Sequence, residues 1–229
     1  MATVLPVTPS LLNTFLTCPK QYEAKYITKE VVFVQSEAAA YGDRIHKNVE
    51  AALTTGAALT PEAEFMQPLV TWCRAVAGRG NVEMFVERRL AVTRSYAPTT
   101  WGARNPDQKA HLRGIADVFF VDHTNRMNIL VDWKTGKPKP DPVQANILSV
   151  CAAKTTGYTK TLCLWVYVKH NQLMTDLIDL VDLTPVQNTL ADVARYERAC
   201  AANEFPPQRN GLCGNWCDVL SCPHNGKNG

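Results

Sequence analysis

Asp132 and Lys134 stand two apart in Ile129-Leu130-Val131-Asp132-Trp133-Lys134-Thr135-Gly136. Alternate side chains of a strand share a face, so these two charged groups lie together while Val131 and Trp133 point the other way. Charges at the end of an apolar strand are costly to bury unless they are paired or bind a metal. A carboxylate beside an ammonium suits phosphodiester hydrolysis. The acid would hold a divalent cation, and the lysine would orient or deprotonate water and offset phosphate charge. Taken alone, an Asp-x-Lys triplet is more simply a strand end running into solvent, because such triplets are common.

The upstream partner changes that balance. Gly114-Ile115-Ala116-Asp117 leads into the apolar run Val118-Phe119-Phe120-Val121, and His123-Thr124-Asn125-Arg126 separates it from the second strand. With Thr124 and Asn125 as the two turn residues, an unbulged hairpin sets Asp117 directly opposite Asp132. The Cβ atoms of such a pair are about 5 Å apart. Two carboxylates that close repel each other, and a shared cation removes the conflict. His46 is a third candidate: it lies in a helical pattern with Glu50 four residues on, on the same face.

The elements that must position these residues follow from periodicity and punctuation. Thr8-Pro9-Ser10 caps a helix carrying Leu11, Leu12 and Phe15, which Cys18-Pro19 ends. Helices are expected over 37–54 and 61–77, the latter with Phe65, Leu69, Trp72 and Val76 on its apolar face. Strands are expected over 82–92, 111–121 and 127–134, with a long loop over 93–108. A helix over 143–154, strands over 162–168 and 173–180, and a last helix from Thr184-Pro185 to Asn203 complete the order. Several antiparallel strands followed by a crossover helix predict an α/β fold with a central mixed β-sheet flanked by helices.

The 229 residues are 46% hydrophobic, enough for one sizeable core. The expectation is a single domain over 1–229, with an N-terminal helical part to about 80 and a cysteine-rich tail from about 206. A net charge of +3 does not by itself announce nucleic acid, so a local groove would have to supply phosphate contacts. The longest apolar run, 162–168, is too short to span a bilayer. The N-terminus shows no basic segment followed by an apolar core. The expected setting is a cytoplasm, bacterial or phage-infected. The sequence contains no G-x-x-x-x-G-K-[ST] loop, so any ATP-driven unwinding would come from a partner.

These motifs, in this order, resemble the RecB-like branch of the PD-(D/E)XK nucleases over nearly the whole chain. The opening from Thr8 through Phe15, Cys18-Pro19 and Tyr22 looks like that branch's first helix, and Tyr41-Gly42 with His46 like its histidine motif. Gly114-Ile115-Ala116-Asp117 and Asp132-Trp133-Lys134-Thr135-Gly136 look like its two acidic motifs. The resemblance implies a restriction-endonuclease-like core. It also implies Mg²⁺ or Mn²⁺ on His46, Asp117, Asp132 and the Trp133 backbone carbonyl, with Lys134 as the catalytic lysine. The family often adds a glutamine and a tyrosine one helical turn apart after the lysine strand. Gln144 matches the first, but Leu148 occupies the second position, and Tyr158 is out of register.

Eight cysteines in a reducing compartment point to metal or cluster ligation before disulfides. Cys73, Cys151, Cys163 and Cys200 lie in apolar patterns and read as buried fillers. Cys213, Cys217 and Cys222 crowd the C-terminus. The sequence is similar to the CRISPR-associated and AddB-type exonucleases, in which one N-terminal and three C-terminal cysteines hold a [4Fe-4S] cluster. That likeness implies Cys18, Cys213, Cys217 and Cys222 as ligands. The spacing departs from the family's: three and four residues separate the tail cysteines where two and five are expected. Zinc on Cys213, Cys217, Cys222 and His224 is an alternative, as are ordinary thiols.

The activity this implies is metal-dependent hydrolysis of DNA, linear and single- or double-stranded, by an exonuclease of recombination or repair with a recombination or helicase partner. A structure-specific endonuclease or nickase on the same site, and a non-catalytic DNA-binding or assembly module, are the alternatives.

Overall fold

The computed structural model describes residues 4–32 and 34–228. Two compact units emerge: residues 35–185 form one, while 1–34 and 186–229 form the other.

The larger unit is built on a five-stranded sheet in sequence order. Its strands are β1 (Val82–Val92), β2 (Leu112–Asp122), β3 (Met127–Trp133), β4 (Lys160–Tyr167) and β5 (Gln172–Asp179). Neighbours run antiparallel except β3 and β4, which are parallel. A parallel pair needs a crossover, and helix α5 (Pro142–Thr156) supplies it. The sheet is therefore mixed and helix-flanked, as the pattern of elements predicts. Before it come α3 (Glu37–Thr55), capped by the Ser36 hydroxyl, and α4 (Gln67–Ala77), preceded by a 3₁₀ turn over Pro61–Met66.

One core joins α3 and α4 to the sheet. Ile45, Val49, Val70 and Cys73 from the helices meet Val118, Phe120, Val131 and Trp133 from the strands. Trp72 departs from its expected place in that core. It is 38% exposed and only lays an edge on Phe120, because Leu69, Val70, Cys73 and Val76 take the inward face of α4.

The smaller unit contains α1 (Pro9–Thr17), α2 (Pro19–Tyr22) and α6 (Gln187–Ala202). The Thr8 hydroxyl caps α1 by accepting from the Leu11 N–H at 3.2 Å. Pro19 does not stop helical structure. It opens a further turn that widens into a π-helical segment, Glu23–Ile27. Tyr22 is fully buried at the centre of an aromatic cluster with Phe15, Tyr196 and Phe205, at centroid distances of 5.3–5.8 Å. The Tyr196 hydroxyl donates to the Leu5 carbonyl and accepts from the Leu5 N–H. Tyr22 lies 3.1 Å from the same hydroxyl, so the buried phenols are not left without partners.

Candidate active site

The β2–β3 hairpin keeps the predicted register with a different turn. Asp122 pairs with Met127, leaving a four-residue loop, His123–Arg126, instead of a two-residue turn at Thr124-Asn125. The Asp122 carboxylate accepts from the backbone and side chain of Asn125, and Arg126 takes the positive φ the loop needs. Both turns are centred between residues 124 and 125, so the ladder still runs to Val118↔Val131 and sets Asp117 level with Asp132 one step further.

On the other side, β1 pairs through Val86↔Val118 and Arg88↔Ala116. Glu87 falls opposite Asp117 between these pairs, with a φ of 50°. A left-handed conformation costs a non-glycine residue on the order of 1 kcal/mol or more and persists only where its surroundings enforce it. Three carboxylates, Glu87, Asp117 and Asp132, thus stand in register across three adjacent strands.

Asp117 is held from two directions. The Trp133 backbone N–H donates to its Oδ2 at 3.0 Å, and His46 Nδ1 from α3 lies 3.4 Å from its Oδ1. At Gly42 α3 comes close to the loop after Lys134: a Cβ there would sit 3.3 Å from Thr135 Oγ1, a tight contact. The His46 ring also rests 5.4 Å from the Trp133 ring. His46, Glu87 and Asp117 each offer a ligand atom within 4.8 Å of the others. With Glu50 and Ile115 they line an open cavity of about 480 Å³.

Asp132 is held differently. Its Oδ1 accepts from Gln144 Nε2 at 2.7 Å and from Lys134 Nζ at 3.0 Å, while Gln144 Oε1 accepts from the same ammonium at 3.2 Å. Gln144 reaches there because Asp141 caps α5 and accepts the Gln144 N–H, fixing the first helical turn against the strand end. Asp132 Oδ2 lies 2.8 Å from the ammonium but accepts no hydrogen bond, although it is buried. His46, Glu87 and Asp117 form the oxygen-and-imidazole group that fits a hard divalent cation, while Asp132, whose charge acts on His46, stands outside that 4.8 Å group with Lys134 and Gln144 as its partners.

The electrostatics express the same crowding. Burial, then the charge of Asp117, push the Asp132 carboxyl up to about 6, against the pull of Lys134 and Gln144. Burial, then Asp117 and Glu50, push Glu87 up to about 6. Burial opposes charge on His46, but its hydrogen bond to Asp117 and the field of both aspartates outweigh it and raise its pKa. Burial likewise opposes charge on Lys134, and the Asp132 carboxylate outweighs it.

The sequence-predicted residues Asp117, Asp132, Lys134, His46 and Gln144 therefore meet at one end of the sheet. Leu148 is buried, and Tyr158 is engaged elsewhere, 2.9 Å from His123 Nδ1. Glu87 is the residue that sequence reasoning missed. Its one signal is a charged interruption, Glu87-Arg88-Arg89, in a strand otherwise apolar at alternate positions.

In the smaller unit, Cys18, Cys213, Cys217 and Cys222 line one cavity. The Gln208 N–H donates to Cys18 Sγ at 3.3 Å and the Asn210 N–H to Cys213 Sγ at 3.4 Å. Among the described residues, no three of these sulfurs lie within 4.8 Å of one another. His224 is exposed and does not line the cavity. Cys73, Cys151, Cys163 and Cys200 are buried, as expected of fillers.

Residues 6–223 match the family model of the PD-(D/E)XK nuclease superfamily. The chain belongs to the PD-(D/E)XK nuclease superfamily, whose members use divalent metals. Two solved structures share its fold. SSO0001 matches with a TM-score of 0.50 at 14% identity, covering 98% of this chain and 89% of its own. A Eubacterium rectale protein named "Putative exonuclease" matches with a TM-score of 0.50 at 12% identity, covering 92% and 86%. No curated protein matches the chain. Among the described residues, no helix is long and apolar enough to cross a membrane.

Proposed function

We propose that this nuclease is a divalent-cation-dependent deoxyribonuclease that acts as an exonuclease on linear DNA. One observation carries the reading: Asp117, Asp132 and Lys134 converge at the shared end of β2 and β3, with His46 delivered from α3. Mg²⁺ or Mn²⁺ would be held by His46, Asp117, Asp132 and the Trp133 backbone carbonyl, with Glu87 as an added ligand. The cation, when bound, supplies Lewis-acid stabilisation of charge building on the phosphoryl oxygens. Lys134 orients water and offsets that charge, and Gln144 holds both Lys134 and Asp132 in place. A complete constellation speaks against a non-catalytic module. The name of the Eubacterium rectale neighbour favours an exonuclease over an endonuclease or nickase. The same reading suggests recombination or repair in a bacterial or phage-infected cytoplasm, with a helicase partner to open duplex DNA.

Cys18, Cys213, Cys217 and Cys222 would hold a [4Fe-4S] cluster of structural rather than redox purpose, because phosphodiester hydrolysis transfers no electrons. Four cysteines around one cavity and backbone N–H groups aimed at two sulfurs fit thiolate ligation. Zinc would take Cys213, Cys217, Cys222 and His224, and it is Cys18 rather than His224 that lines the cavity with the tail cysteines, which favours the cluster.

The test is digestion of end-labelled linear DNA and of closed circular DNA, with Mg²⁺, Mn²⁺ or EDTA. Cation-dependent loss of linear DNA with circular DNA spared supports the reading. Cleavage of the circle moves the protein to an endonuclease, and absence of any cleavage removes catalysis from it.

A further inference from the structure

Arg89, Trp101 and Arg113 form a cluster outside the metal-ligating group. Arg89 and Arg113 lie on β1 and β2 beside the ladder pairs Arg89↔Ile115 and Ala91↔Arg113. Both guanidinium groups are held over the ring of Trp101, 5.8 and 4.5 Å from its centroid, and Arg113 Nη1 donates to the Trp101 carbonyl at 3.3 Å. Trp101 belongs to the long β1–β2 loop, which also carries Arg94, Arg104 and Lys109 against a single acid, Asp107.

Two like charges gathered on one indole repel each other, yet among the described residues neither arginine forms an ion pair with a carboxylate. Glu87 feels the charge of Arg89 without pairing to it. The Nε of Arg113 is buried with no hydrogen-bond partner. Guanidinium groups fixed on an aromatic ring and lacking a counter-charge are preorganised for an anion, since their rotamer entropy is already spent.

Position identifies that anion. Arg113, Ile115 and Asp117 are alternate residues of β2. Ile115 is 37% exposed and, with Asp117, lines the cavity over the metal-ligating group. At about 3.3 Å per residue, Arg113 lies roughly 13 Å along the strand from Asp117. That is a few nucleotides along a chain whose reacting phosphate sits at Asp117.

We infer that Arg89 and Arg113, oriented by Trp101, form a phosphate clamp that grips the nucleic-acid strand a few nucleotides from the bond being cut. The inference rests on the nuclease reading and adds the path of the substrate to it. Trp101 is a positioning residue here, and the two arginines carry the contacts.

The experiment uses the full chain carrying Asp132→Asn, so that DNA stays intact. Anisotropy of a labelled oligothymidylate of about twenty nucleotides is followed across a salt series. Each lost phosphate contact lowers the slope of log K against log salt by about 0.7, so Arg89→Ala with Arg113→Ala should lower it by about 1.4. Arg89→Ala alone, at an exposed position that folding does not need, should lower it by about 0.7. Trp101→Ala should weaken binding several-fold while Trp101→Phe restores most of it, because either ring can seat the guanidinium groups. An unchanged slope in folded Arg89→Ala and in the double variant overturns the clamp, even if wild-type protein cuts DNA. Equal weakening by Trp101→Phe and Trp101→Ala overturns the positioning role. Wild-type protein that neither cuts nor binds DNA overturns the nuclease reading beneath both.

Discussion

The carboxylate row and the cysteine cavity each bring reactive side chains together, but by opposite means. Glu87, Asp117 and Asp132 are set by strand register, and a one-residue slip would turn each to the other face of the sheet. The cysteines are set by turns and chain ends. Cys18 follows α1, while Cys213, Cys217 and Cys222 sit in a tail whose described residues form no regular strand or long helix. The tail is held by side-chain and loop contacts instead. Asn225 donates to the carbonyls of Cys217 and Val219, and Glu30 accepts from the Ser221 N–H and hydroxyl. Gly226 passes so close to Gly214 that a Cβ would meet its carbonyl oxygen at 2.7 Å. On the proposed function, the difference teaches that the first region would take a cation for its chemistry, whereas the second would take a crosslink to stay assembled.

Substitutions that touch one region and spare the other sharpen that contrast. The largest effect is expected at Asp117→Asn or Asp132→Asn. Cleavage of end-labelled DNA should fall by about 10³-fold or more, since several kcal/mol of charge stabilisation are removed. Circular dichroism and any iron bound by the tail should stay at wild-type levels. Loss of iron in these variants would break the division of labour.

Lys134→Ala should slow single-turnover cleavage by about 10²–10³-fold with little change in Mn²⁺ affinity, because an ammonium acts on water and phosphate rather than on the cation. Native rates would make Lys134 a partner of Asp132 and nothing more. Glu87→Gln and His46→Ala should act through the cation instead, raising the Mn²⁺ needed for half-maximal activity by roughly tenfold. If Glu87→Gln titrates like wild type, its place opposite Asp117 is architectural.

In the other region, Cys18→Ser should yield anaerobically purified protein without iron or brown colour. By analogy with a lost crosslink, the thermal midpoint should drop by about 5–10 °C. Cleavage by the protein that remains folded should continue. Colourless wild-type protein with stoichiometric zinc would overturn the cluster, and protein with neither metal would make the four cysteines ordinary thiols.

The smallest effect is Tyr22→Phe. It removes the hydroxyl that meets Tyr196 at 3.1 Å in a buried cluster, worth about 1 kcal/mol or 2–4 °C. Activity should not move, so a change in rate would tie the aromatic core to the metal site.

The sequence by itself determined the elements and one hairpin of the site. Alternation placed Asp132 with Lys134, and a turn centred between Thr124 and Asn125 fixed Asp117 level with Asp132 whether two residues or four made the bend. A capping residue followed by a proline marked α1, and apolar surroundings marked the four buried cysteines. Only the tertiary structure brought in Glu87. The β1–β2 connection is a long loop, which leaves strand register free, and nothing local announces that a glutamate takes a positive φ opposite Asp117. The same loop hid the meeting of Trp101 with Arg89 and Arg113. Trp72 was misplaced because an apolar periodicity names a face of the helix but not which of two adjoining rows turns inward. Distance in sequence is the common reason: what a short turn or a helical repeat connects can be read along the chain, and what packing connects cannot.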